Sequence, residues 1–226
     1  MNSEDVTSNS GDSCAPRASY RSPLRDQQKA DTRKRILDAV QHTIATTGAL
    51  EKVSIAAVAR EAGVKERTVY RHFGTREGMI DAFFAHHSAE LGVPRFARTE
   101  EEMLTLGARL FVGFEREGAV HRAFVNSSGG REMFVRLGPQ FQIAFQEAVA
   151  DAATGLPPEE CRWLAASAHA LSSGGMWRTL HDLWDMSGEE AGQVSRFALG
   201  LLLDGARARA GARRGAKRKR RPPRTR

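Results

Sequence analysis

Between Ser54 and Phe73 the chain reads SIAAVAREAGVKERTVYRHF, and the second half of that stretch concentrates side chains that donate and accept hydrogen bonds. Val69 and Phe73 stand four apart and face inward if this half is helical, which leaves Lys65, Glu66, Arg67, Thr68, Tyr70, Arg71 and His72 on the outer face. Such a face reaches base edges and phosphate oxygens together, and a major groove is wide enough to admit it. Catalysis has no comparable footing. There are no paired carboxylates, no nucleophile elbow and no metal-ligand motif, and Gly129-Gly130 and Gly174-Gly175 lack the Lys or the strand context of a phosphate-cradling loop. His169, and His181 beside Asp182, read as packed or solvated rather than catalytic. His86 and Glu90 have the i, i+4 spacing of a chelating pair, but no further ligand joins them. The expectation is therefore no enzyme, no cofactor and no metal.

The reading face needs a support, and the residues before it supply one. Ser54 is a good N-cap, and Ile55, Val58, Ala59 and Ala62 follow at the spacing of one apolar helix face. Gly63 suits the left-handed backbone just past a helix end, and Val64 is the apolar residue that packs back on such a turn. Two short helices joined by a tight turn result.

Ala59 to Ala62, Gly63, Val64, then Thr68, Val69, Tyr70, His72 and Phe73, followed by Arg76 and Glu77, resemble the DNA-binding signature of the TetR family of bacterial transcriptional regulators. The resemblance implies an all-α fold: a three-helix helix-turn-helix domain over residues 28–92, and a helical ligand-binding and dimerisation domain over residues 99–210. It also implies a homodimer on a palindromic double-stranded DNA operator, and most members of the family repress. Lys65 departs from the pattern, standing where the family often has a capping Ser. Position along the recognition helix assigns base contacts to Lys65, Arg67 and Thr68, and phosphate contacts to Ser54, Tyr70, His72 and Arg76, with Glu66 and Arg71 on the same face. A preceding helix, capped by Asp31 or Thr32, carries Ile36, Leu37, Val40 and Ile44 inward. It places Arg33, Lys34 and Arg35 in its first turn, where the dipole disfavours cations unless phosphate is near. In the family that helix lies beside the DNA backbone.

The formal charge is +7, but residues 213–226 hold nine Lys or Arg and no acid, leaving −2 for the rest. A near-neutral body with a basic tail argues that DNA affinity is local. The tail, 211–226, and an N-terminal arm, 1–27, with Arg17, Arg21 and Arg25, have no apolar period and read as disordered. The rival function is a sequence-independent DNA-coating protein driven by that tail. Neither a membrane span nor a signal peptide is present, so the expected location is the cytoplasm, on DNA. Cys14 and Cys161 suggest no disulfide framework.

Beyond Val93-Pro94 the sequence predicts helices over 99–117 and 120–127, a break at Gly129-Gly130, and a segment starting at Pro139. A long helix over 158–185, softly interrupted at Gly174-Gly175, comes next. The last helix opens near Gly188 behind a Ser187–Glu190 capping box and runs to about Arg209. Aromatic and Met residues at helical spacing are first a core. By the same resemblance, Phe111, Phe114, Met133, Phe134, Phe141, Phe145, Met176 and Trp177 are the expected walls of a cavity for an apolar small-molecule inducer. Ala191, Val194, Ala198, Leu201 and Gly205 form a narrow seam that lets another helix approach. With Leu180 and Trp184 they are the expected dimer interface, while Phe197, Leu199, Leu202 and Leu203 point elsewhere.

Overall fold

The computed structural model describes residues 23–219, and those residues form ten α-helices with no strand among them. Four build the N-terminal unit: α1 (Pro23–Thr47), α2 (Ile55–Glu61), α3 (Glu66–Phe73) and α4 (Arg76–Glu90), with a 3-10 turn at Leu50–Lys52. Six follow: α5 (Glu100–Arg116), α6 (Gly118–Asn126), α7 (Ser128–Ala148), α8 (Pro158–Leu171), α9 (Gly174–Trp184) and α10 (Gly188–Lys219). No helix among the described residues is long and apolar enough to cross a membrane.

The first helix begins eight residues before Asp31, at Pro23, so residues 23–27 are helical rather than part of an arm. Pro23 opens it, where a missing N–H costs nothing. Arg33, Lys34 and Arg35 consequently sit in the body of α1, and the helix dipole no longer bears on them. Arg17, Arg21 and Cys14 lie outside the described residues.

Gly129-Gly130 does not break the chain; it starts α7. Ser127 Oγ accepts from Gly130 N–H (3.0 Å), and Glu51 from the 3-10 turn accepts from Ser128 Oγ (2.7 Å) and Gly129 N–H (3.0 Å). These bonds hold the Glu51 carboxyl at about 2, well below its usual range. Gly130 is needed because any Cβ there would collide with the Phe124 carbonyl. Pro139 also lies inside α7 without ending it. Its missing N–H leaves the carbonyl of residue 135 without its helical donor, at a position open to solvent: Val135 is 73% exposed.

The break expected at Gly174-Gly175 falls one step earlier: α8 ends at Leu171, and Ser173 Oγ caps α9 through Met176 N–H (3.3 Å). The capping box of α10 forms as read, with Glu190 N–H donating to Ser187 Oγ (3.2 Å) and Ser187 N–H to Glu190 Oε2 (3.0 Å). That helix continues past Arg209 because its Ala-rich sequence favours helix and its cations find partners on the body. Arg209 is bidentate to Glu160 (2.7 and 2.8 Å), Arg213 reaches the same carboxylate (3.2 Å), and Arg214 donates to the Thr154 carbonyl (2.8 Å). The expected disorder of 211–226 therefore does not hold for 211–219, and residues 220–226 lie outside the described residues.

Three apolar clusters organise the interior. One joins α1–α4 to α6 and α7 through Val120, Phe124, Met133 and Leu137. A second packs α5, α7, α8 and α10 around Phe145, Leu164, Leu199 and Leu203. The third is small: Phe111, Phe114, Trp177 and Ala191.

Candidate nucleic-acid interface and cavity

Ser54 Oγ caps α2 by accepting from Ala57 N–H (3.1 Å). Past its other end, Gly63 adopts φ +65, Val64 N–H reaches back to the Ala59 carbonyl (2.9 Å), and Gly63 N–H reaches Arg60 (3.2 Å). This paired closure fixes the angle between α2 and α3. Val69 is fully buried beneath α3, while Lys65, Glu66, Arg67, Tyr70 and Arg71 are exposed and Thr68 and His72 are half-buried. Lys65 occupies the N-cap position with no side-chain cap bond, so its ammonium is available to a ligand.

Two of the expected phosphate contacts are engaged inside the fold instead. Arg76 donates through Nε to the Val53 carbonyl (2.6 Å) and through Nη2 to Leu50 (2.8 Å), tying the start of α4 to the turn before α2. It holds the frame of the reader. Arg33 donates to the His72 carbonyl (3.3 Å) and lies over the Phe73 ring at 4.5 Å, locking α1 against the end of α3. Lys34 pairs with Asp38 on its own helix (2.9 Å). His72 has its pKa lowered by burial first, then by Arg71, Arg33 and Lys29, so the ring is neutral at neutral pH and phosphate contact through it would be as a hydrogen bond. Lys29 was missed by the sequence reading, which began the helix after it; its proximity to His72 places another cation beside the reading face.

Residues 36–83 match the family model described as bacterial regulatory proteins, tetR family. The chain carries a TetR-family DNA-binding domain. That domain gives the protein a DNA-binding role in transcriptional regulation. No curated protein matches the chain.

Behind this TetR domain lies a cavity of about 360 Å³. Its walls come from α4 (Phe84, His87, Ser88), from the connection that follows it (Val93, Pro94, Arg95, Ala97) and from α5 to α9. Of the expected wall residues, Phe114, Phe134, Phe141 and Phe145 line it. Phe111, Met133, Met176 and Trp177 do not: Met133 belongs to the core shared with α1–α4, while Phe111 and Trp177 close the small cluster behind Phe114. Periodicity alone cannot separate a wall from the layer behind it.

Three histidines that sequence reasoning passed over or set aside line the cavity: His87, His121 and His169. Each is held below its ordinary pKa chiefly by burial, His121 to about 3. His121 stacks on Phe114 at 3.4 Å between ring centres and meets Trp177 edge-on at 4.8 Å. His169 stacks on Phe141 at 5.1 Å. His86 and Glu90 pair with each other (3.3 Å), and no three or more metal-ligating side chains converge among the described residues.

The seam on α10 divides. Ala191 is fully buried within the subunit against Phe111 and Trp177, so it is no surface residue and cannot meet a second copy. Val194 and Ala198 are half-buried and Leu201 and Gly205 exposed. Phe197, expected to point elsewhere, is 69% exposed beside Leu201 at 60%. On α9, Leu180 is half-buried against the small cluster, while Leu183 and Trp184 are exposed.

Proposed function

We propose that this regulator is a ligand-responsive repressor that acts as a homodimer on a palindromic operator in the cytoplasm. The observation that carries the reading is the double duty of α4. Its first residue, Arg76, bonds the carbonyls of Leu50 and Val53 and so fixes the helix-turn-helix, while Phe84, His87 and Ser88 further along form cavity wall. A ligand that fits the cavity better when α4 has shifted must favour a different setting of α3, because α4 carries both. A useful switch needs a coupling of about 1–3 kcal/mol.

Specificity in this reading rests on Lys65, Arg67 and Thr68, with Ser54, Tyr70, Arg71 and Glu66 at the flanks. Dimerisation rests on the apolar stripe of α10, with Phe197, Leu201 and Gly205 exposed and Val194 and Ala198 half-buried beside them, together with the exposed Trp184. Large exposed apolar side chains in one strip mark an interaction surface, and two copies about one DNA turn apart, roughly 34–36 Å, are what a half-site reader requires.

The test is recovery of native genomic fragments bound by the full chain. A discrete inverted repeat, whose preference is lost in Arg67→Ala, is the expected result. Equal binding to unrelated duplexes, with a steep salt dependence unaffected by Arg67→Ala, would replace this reading with sequence-independent coating.

A further inference from the structure

The proposed ligand site has a charge pattern that selects among ligands. Its walls hold many aromatic rings and, among the described residues, no carboxylate, yet two arginines, Arg95 and Arg131, belong to them. Neither makes an ion pair or a side-chain hydrogen bond with any described residue, and Arg95 Nε is fully buried without an acceptor. Among the described residues, the half-buried Arg76 has carbonyl partners, and even the more exposed Arg98, Arg136, Arg207 and Arg209 meet carboxylates. A buried guanidinium donor without a partner is costly, and such orphans mark places where something else binds. Arg95 lies against the Phe96 ring at 5.3 Å, which steadies the cation but accepts none of its in-plane N–H groups.

The histidines do not compete for the role of cation. Burial depresses the pKa of His87, His121 and His169, so the wall offers neutral imidazoles whose faces already stack on Phe83, Phe114 and Phe141 respectively. His121 Nε2 is a second buried polar atom without a partner. The walls thus present ring faces, a neutral hydrogen-bonding nitrogen, and a half-buried arginine whose buried Nε lacks an acceptor, with a second, exposed arginine.

Building on the ligand-responsive reading above, we propose that the cavity takes a small aromatic organic anion, its rings among the phenylalanines and its acid group paired with Arg95. Guanidinium is the side chain best suited to a planar acid, because its fork of donors matches two acceptor oxygens, and a low-dielectric wall strengthens the pairing. Arg131, exposed, attracts the anion on approach. Arg95 sits in residues 91–99, the connection between α4 and α5, so an anion held there bears directly on the end of the helix that carries the reader.

The experiment uses two fluorescent probes with one ring system: anilinonaphthalene sulfonate, an anion, and phenylnaphthylamine, which lacks the sulfonate. With the full-length protein, the sulfonate should bind about tenfold or more tighter than the amine, and each should displace the other. Arg95→Met should remove most of that preference by weakening the sulfonate about tenfold while changing the amine by less than about twofold, and Arg95→Lys, which keeps the charge, should retain part of it. Circular dichroism establishes that each variant is folded. Equal affinities of the two probes for the unaltered protein, or a preference that survives both Arg95→Met and Arg131→Met, would overturn the anion assignment while leaving a ligand cavity in place. Binding of neither probe, or binding of both that is indifferent to a plug at the wall, Ser172→Trp, would instead remove the ligand-responsive reading and this inference with it.

Discussion

Replacing His121 by Phe should make the protein markedly less sensitive to acid. In the folded chain the ring is packed between Phe114 and Trp177 with a pKa of about 3, against an ordinary value of 6.5. Burial is the chief cause; the Gly174 carbonyl raises the value, while His87, Arg122 and Arg178 lower it. Because the folded value is depressed, the unfolded chain takes up the proton first. The neutral ring's contribution is intact above about 6.5 and is lost as the pH falls toward 3. Each pH unit in that window corresponds to about 1.4 kcal/mol, so near pH 5 the loss attributable to His121 is about 2 kcal/mol. Urea midpoints at neutral pH and near pH 5, at one protein concentration, measure it for both proteins. The larger ring adds an overpacking cost of about 1–3 kcal/mol, but that cost is the same at both pH values and drops out of the comparison. His87 and His169 still titrate in the variant, which leaves a residual slope. If the two proteins lost the same stability between the two pH values, His121 would not be held neutral by its surroundings.

Three further outcomes follow from contacts described above. Arg76→Met leaves the carbonyls of Leu50 and Val53 without their charged donor and should lower stability by about 2–3 kcal/mol; the slope of DNA affinity against salt and the base preference should both stay unchanged, whereas Arg67→Ala should relax the base preference. Gly130→Ala forces a Cβ into the Phe124 carbonyl and should cost several kcal/mol in chemical denaturation, while Gly138→Ala, where the space is open, should change stability little. Leu201→Arg together with Phe197→Arg should halve the mass seen by light scattering without loss of helicity, since both side chains are largely exposed within one subunit; a variant still dimeric would move the interface elsewhere.

The helix-turn-helix was legible because each of its steps has a local cause: Ser54 caps, Gly63 turns, Val69 packs, and all three are read within a few residues. The C-terminal helices were less so. Gly129-Gly130 looks like a break, yet the segment is helical because Glu51, nearly eighty positions earlier, supplies the acceptor that its first N–H groups need. Pro139 is compatible with a continuing helix because it faces water, which no local pattern reveals. The length of α10 depends on Glu160 holding two arginines, a tertiary fact. Among the site residues, Ala191 and Leu201 share one heptad pattern, but one lies under Trp177 and the other in solvent. Arg95 was invisible because its meaning is the partner it lacks.

The core that joins Ile36 and Phe83 to Phe124 and Leu137 means that the sequence border near residue 92 is not a border in space. A fragment cut there would bare the faces that α6 and α7 cover, and would take Glu51 away from the helix it caps. Such a reader is not an interchangeable module: grafted onto a different sensor it would need that sensor's surface to reproduce Val120, Phe124, Met133 and Leu137. Chimeras are therefore best joined so that α6 and the first turns of α7 travel with the reader, and descent with recombination at the linker alone would be expected to yield chains that aggregate.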